Sequence, residues 1–183
     1  MSEFQSARSP SRGLLIRWIG WFGIANGLLF ALIGSRYLLA FGMPGSTVAL
    51  IYVALAFVAH FALLGFLPML LLLGPVATVT QRKGILMALG ALFAAAGLTL
   101  LVLDTNVFAQ YRYHLSRLTI EIFATSTWVL AGIIFMVLLL FQAMLAGAVW
   151  QRVEGASGRA GLWLAAGLAV VWFGGQGIHI WGD

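Results

Sequence analysis

The sequence predicts an all-α protein, a five-helix transmembrane bundle, on three observations. Hydrophobic residues make up 62% of the 183 positions and charged residues only 8%, too few polar groups to cover a water-soluble globule. Five apolar segments are each long enough to cross about 30 Å of hydrocarbon, which takes about 20 residues of helix. Short connectors carrying Gly, Pro and basic residues separate them, as turn chemistry between packed helices requires.

Residues 1–13, MSEFQSARSPSRG, read as a polar cytoplasmic tail, and residues 14–183 as the membrane domain. The first segment, Leu14 to Leu39, is too long for a signal peptide's apolar region and is interrupted by Gly, Asn and Arg, so it is a retained helix. The second, Val48 to Leu73, follows the turn FGMPGST; Pro68 predicts a kink within it, and Gly74 followed by Pro75 predicts its stop. The third, Gly84 to Leu103, follows Gln81, Arg82 and Lys83. The fourth runs from Thr125 to Val149 and the fifth, beyond QRVEGASGR, from Gly161 to Trp181. Gly20, Gly23, Gly27 and Gly34 in the first, and Gly90, Ala94 and Gly97 in the third, offer surfaces on which helices can approach closely; the alternative is glycine merely tolerated against lipid.

Charge orients the bundle. Arg8, Arg12, Arg17, Arg82, Lys83, Arg152 and Arg159 fall on one side, against Arg36, Arg112 and Arg117 on the other. The positive-inside rule therefore places the N-terminus in the cytoplasm and the C-terminus outside. Trp18, Trp21, Trp150 and Trp163 then lie near the inner interface, and Tyr37, Trp128, Trp172 and Trp181 near the outer one. The net charge of +5 implies attraction to anionic lipid, not nucleic acid. The absence of Cys excludes disulfides and thiol chemistry.

One long polar interval breaks the apolar pattern, Leu98 to Glu121. Along it and into the next residue, Phe108, Tyr111, Leu115, Leu118 and Ile122 recur at helical spacing, with Asn106, Gln110, His114, Arg117 and Glu121 on another face. This predicts an amphipathic interfacial helix between the third and fourth spans, lying on the outer leaflet. Arg112, His114 and Arg117 are its candidates for a lipid headgroup, and a plain connecting helix is the alternative reading. Arg36 and Asp104 each fall at the outer end of a span, where an unpaired charge is costly, and are expected to pair. Arg36 can instead snorkel to the headgroups or bind a lipid phosphate, and Asp104 can cap a following helix.

Deeper in the spans, His60 lies about 18 Å below the outer end of the second segment at 1.5 Å per residue, near the midplane, and is expected to be neutral and hydrogen-bonded. It is a functional candidate or a histidine satisfied by a neighbouring helix. Asn26 and Gln142 read as hydrogen-bonding glue between helices. Of the five acidic residues, only Asp104 and Glu121 fall outside tails and cytoplasmic loops, and with His114 and His179 they show no ligand spacing such as HExxH. Ser116, Ser126 and His114 can be drawn as nucleophile and base, without a supporting motif. No metal, cofactor or catalytic constellation is expected.

Several stretches carry a resemblance. IGSRYL (Ile33 to Leu38), Ile51-Tyr52 with HFALLGF (His60 to Phe66), GLTLLVLDTNVFAQYRYHL (Gly97 to Leu115) and IHIWGD (Ile178 to Asp183) are similar, in order and spacing, to the N-terminal membrane domain of the YejM/PbgA inner-membrane proteins of Gram-negative bacteria. In that family five transmembrane helices precede a linker and a sulfatase-like periplasmic domain, which this chain is expected to lack. The resemblance implies a bacterial inner-membrane regulator of lipopolysaccharide homeostasis, with lipopolysaccharide or cardiolipin as lipid and a membrane adaptor and protease complex controlling lipid A synthesis as partner. Its alternatives are the membrane anchor of a periplasmic lipid hydrolase or headgroup transferase, and a small lipid transporter. Arg36, His60, Asp104, Phe108, Arg112 and His114 match motif positions. The chain departs from the family where Gln176, another intramembrane polar residue, replaces a histidine, and where WGD replaces WAD.

Overall fold

A computed structural model describes residues 10–42, 44–116 and 125–155. Among them the chain is helical, with four long helices: α1 Arg12–Phe41, α2 Thr47–Val79, α3 Lys83–Tyr111 and α4 Thr125–Gly155. All four are long and apolar enough to cross a membrane. Hydroxyl caps set two of the starts. Ser11 accepts from the amide of Leu14 to open α1, and Ser46 from that of Ala49 to open α2, each satisfying an amide that has no partner inside the helix. Gly42 ends α1 at φ 90°, a backbone conformation that side chains resist.

Contacts along the helices give an up-down-up-down arrangement. On α1, Gly27 lies against Ala62 and Gly65 of α2, and Gly34 against Phe61, so that pair is antiparallel. Trp18 and Phe22 of α1 meet Gly90 of α3, while Tyr37 meets Phe108, a parallel pair. The Trp18 indole donates to the carbonyl of Ala146 on α4 at 3.0 Å. The main core sits at the end where α1 begins, built on Leu15, Trp18, Phe22, Leu73, Leu86, Ala146 and Trp150. A smaller cluster, Tyr37, Phe61 and Phe108, lies at the opposite end, near the turn from α1 to α2.

Three expectations change. The Gly74-Pro75 pair does not stop α2, which runs on to Val79 with Pro68 and Pro75 inside it. Proline removes one ladder bond, and in a membrane helix that loss is absorbed by neighbouring helices and local adjustment. Next, α3 outruns its expected end at Leu103 by two turns, because Asp104, which ends the apolar run in sequence, is satisfied inside the fold. Finally, the helical rhythm from Asn106 to Tyr111 belongs to α3 itself and breaks at Arg112, which takes a left-handed conformation at φ 63°. The continuous interfacial helix expected across this stretch does not form through Arg112. Residues 117–124 and the fifth segment, Gly161 to Trp181, lie outside the described residues, as do Arg117 and Gln176.

Candidate functional site

The polar groups at the turn end of the bundle converge on Asp104. Tyr37, one turn before the end of α1, donates its hydroxyl to Asp104 Oδ2, and the amide of Leu115 donates to Oδ1. His114 Nδ1 stands 2.8 Å from Oδ2. An ionised carboxylate only accepts hydrogen bonds, so His114 Nδ1 carries the proton of that contact. The left-handed turn at Arg112 makes this possible by folding the chain back so that residues 114 and 115 reach a side chain ten and eleven positions earlier. Asp104 is largely enclosed, whereas His114 is 67% exposed and presents its other ring face outward.

Two guanidinium groups flank this hub. Arg36 donates to Asn106 Oδ1 at 2.9 Å, and Arg112 to the backbone carbonyl of Ala40 at the end of α1. Both residues are exposed. Arg36 and Asp104 therefore do not pair as expected. Neighbours on a helix point about 100° apart, so Tyr37, not Arg36, turns toward Asp104, and Arg36 reaches the next polar position of α3. Nor does Asp104 cap a following helix, since it lies within α3. By sequence alone Tyr37 falls only in the outer aromatic belt. Its place beside Arg36, within one turn of a helix end, was the available signal.

Aromatic rings brace the hub. Phe108 packs against Tyr37 edge-on with centroids 5.2 Å apart and stacks on His114 at 5.0 Å, and Phe41 closes on Phe108 at 4.9 Å. Tyr37 also stacks on Phe61 of α2 at 5.8 Å. Through these contacts α1, α2, α3 and the turn after α3 are tied at one level.

Beside the hub an open cleft of about 670 Å³ runs along α2, with Tyr52, Phe57, His60 and Leu64 on one wall and Leu101, Asp104 and His114 on the other. His60 is exposed, and its ring meets Phe61 edge-on at 5.5 Å. Among the described residues it forms no hydrogen bond, and the Phe61–Tyr37 contact brings it near the Asp104 hub.

Away from this end, Asn26 and Gln142 meet in the bundle interior, both fully buried. Gln142 Nε2 donates to Asn26 Oδ1 at 2.8 Å and Asn26 Nδ2 to the Phe22 carbonyl at 2.9 Å, while Gln142 Oε1 has no partner among the described residues. At the opposite end Arg17 donates to the Val153 carbonyl at 2.7 Å, and Lys83 lies 4.3 Å over the Trp150 ring. Among the described residues no three His, Asp or Glu side chains gather as a metal site. The turn end therefore gathers two exposed guanidinium groups and an oriented imidazole at helix ends, next to the cleft.

Comparison with known proteins agrees with the resemblance read from GSRYL and LDTNVFAQYRYHL. The chain is 32% identical over 178 residues to the Inner membrane protein YejM of Salmonella typhimurium, and equally to that of Salmonella typhi, covering 92% of this chain and 30% of each relative. An uncharacterized protein of Haemophilus influenzae is 29% identical over 101 residues, 55% of this chain and 17% of that protein. The chain thus spans less than a third of the length of these relatives; like the YejM proteins it is an inner-membrane protein, and its four apolar helices are long enough to cross the membrane several times. A family model for a domain of unknown function, DUF3413, matches residues 5–183, and the chain belongs to that family.

Proposed function

We propose that this domain is a lipid-sensing and regulatory module of the bacterial inner membrane, serving envelope lipid homeostasis with no catalytic activity of its own. It binds an anionic lipid, lipopolysaccharide or cardiolipin, at its outer edge, and a membrane adaptor and protease complex through its helix faces. The observation that carries this reading is the pair of exposed guanidinium groups, Arg36 and Arg112, braced at the ends of α1 and α3 around the Asp104 hub. Guanidinium groups fixed at headgroup level suit phosphate, which they engage through paired hydrogen bonds. The positive-inside asymmetry supports placing this end on the periplasmic side. The test is lipid analysis of protein purified from native membranes. Arg36→Gln with Arg112→Gln should lower retained anionic lipid about tenfold, the loss of roughly 1.4 kcal/mol of binding; unchanged retention would refute the assignment.

A second reading is favoured by one fact, that the chain spans 30% of its YejM relatives. On it, the domain is the membrane anchor of a longer periplasmic lipid hydrolase or headgroup transferase. Phosphate or headgroup release from lipid by the full-length protein, lost on removal of the region beyond this domain, separates the two.

A further inference from the structure

The two guanidinium groups at the turn end are held in different ways. Arg36 rests on α3 itself: it donates to Asn106 Oδ1 at 2.9 Å, and Asn106 is fixed in turn by its Nδ2, which donates to the Val102 carbonyl of its own helix at 2.8 Å. Arg112 stands past the last turn of α3. Its amide still donates to the Phe108 carbonyl at 2.9 Å, but its backbone is left-handed at φ 63°, a conformation that a side chain disfavours and that its surroundings must hold. The residues that follow supply the hold. His114 Nδ1 and the Leu115 amide both donate to Asp104, one to each carboxylate oxygen, so the segment after Arg112 is pinned to α3 at two points. With the chain turned back in this way, the Arg112 guanidinium reaches the Ala40 carbonyl at the end of α1. Phe108 stacked on His114 supports the same turn, but an apolar contact fixes position less sharply than a carboxylate that takes two donors.

We propose that Asp104 is the positioning residue of the headgroup site: its carboxylate holds the turn that places Arg112, so this negative charge favours the binding of an anion. The role rests on the reading of Arg36 and Arg112 as headgroup ligands and gives that reading a sign. Charge alone gives the reverse sign, because removing a carboxylate near two guanidinium groups raises the local positive potential and should strengthen anion binding. Fixing a donor before the ligand arrives works against that effect, since a mobile guanidinium must lose its freedom on binding and a held one has already done so. Asp104 is largely enclosed and its oxygens are taken by the turn and by Tyr37, so it acts through Arg112 and not as a ligand.

The test compares variants of the full chain in phosphatidylcholine nanodiscs, with cardiolipin as the added anion. Asp104→Asn, which keeps the size of the side chain and removes its charge, should lower cardiolipin affinity about threefold, part of the tenfold expected when both guanidinium groups are lost. Leu115→Pro removes the amide proton donated to Asp104 while the carboxylate keeps its charge and the helices are untouched, and should lower affinity similarly. In an Arg112→Gln background Asp104→Asn should cause no further loss, whereas in an Arg36→Gln background the loss should persist in full. Side-chain nitrogen NMR of the arginines, in nanodiscs without cardiolipin, reads the position directly. The Arg112 Nη signals, identified by their absence from Arg112→Gln, should be restrained in the wild type and averaged by fast rotation in Asp104→Asn. Higher cardiolipin affinity in Asp104→Asn, an equal loss in the Arg112→Gln background, or Arg112 signals that ignore the substitution would overturn the role of Asp104. Release of Arg112 by Asp104→Asn in a protein whose wild type shows no preference for cardiolipin would refute the headgroup reading and leave the positioning of Arg112 standing.

Discussion

Asp104 shows how a charged side chain is carried at a helix end without an opposite charge from Arg36. Its oxygens accept from the Tyr37 hydroxyl on α1 and from the His114 imidazole and Leu115 amide in the turn after α3, so one side chain joins α1, α3 and that turn. Tyr37→Phe keeps the ring contacts and removes one donor; unfolding measured in detergent should show a loss of about 1–2 kcal/mol. Asp104→Ala strands all three donors and should cost more, about 3 kcal/mol, with the turn at residues 112–115 gaining hydrogen exchange. Arg36→Ala should leave stability within about 0.5 kcal/mol, because its bond to Asn106 is exposed. The reverse order, Arg36 dominant over Tyr37, would sink this account. In the interior, a double-mutant cycle of Asn26→Ala and Gln142→Ala should give a coupling of about 0.6 kcal/mol, the usual size for a hydrogen bond between membrane helices.

Packing of α1 on α2 depends on the absence of side chains where the two cross. A Cβ on Gly27 would lie 2.7 Å from the carbonyl oxygen of Ala62, and one on Gly65 equally close to the backbone of Gly27. Two backbones in contact cannot yield as a side-chain tip can, so Gly27→Val should separate the helices and cost about 2 kcal/mol. Gly20 on the same helix has nothing within 4 Å of its Cβ position, and Gly20→Ala should be neutral or stabilising. Comparable melting shifts for both substitutions would show that the small residues are tolerated, not required. The sequence pattern flagged Gly20, Gly23, Gly27 and Gly34 alike; facing helices distinguish them, since Gly23 and Gly34 meet Phe66 and Phe61 while Gly20 meets nothing. The same limit explains α2, where local rules for Gly74 and Pro75 predicted a stop that the bundle overrides.

Taken together, the four helices place the basic residues asymmetrically at the two ends of the bundle. With no Cys in the chain, single cysteines report topology directly. Gly45→Cys in the α1–α2 turn should react with an impermeant maleimide added to intact spheroplasts, and Gln81→Cys between α2 and α3 only after lysis. The opposite labelling pattern would invert the bundle and move the Asp104 hub to the cytoplasmic side.

From composition and period alone came the membrane class, the helical architecture and the approximate position of each described span, because the cost of exposing polar backbone to lipid leaves an apolar chain of this kind few alternatives. The polar interval from Leu98 was also legible as the place where the chain departs from that rule. Which residues meet there was not. Tyr37 and Asp104 are 67 positions apart, and their contact, like the place of His60 and the crossing at Gly27 and Gly65, depends on the rotation and tilt of whole helices against one another. Spacing along one helix constrains its own faces; the partner of each face is decided only when the helices pack.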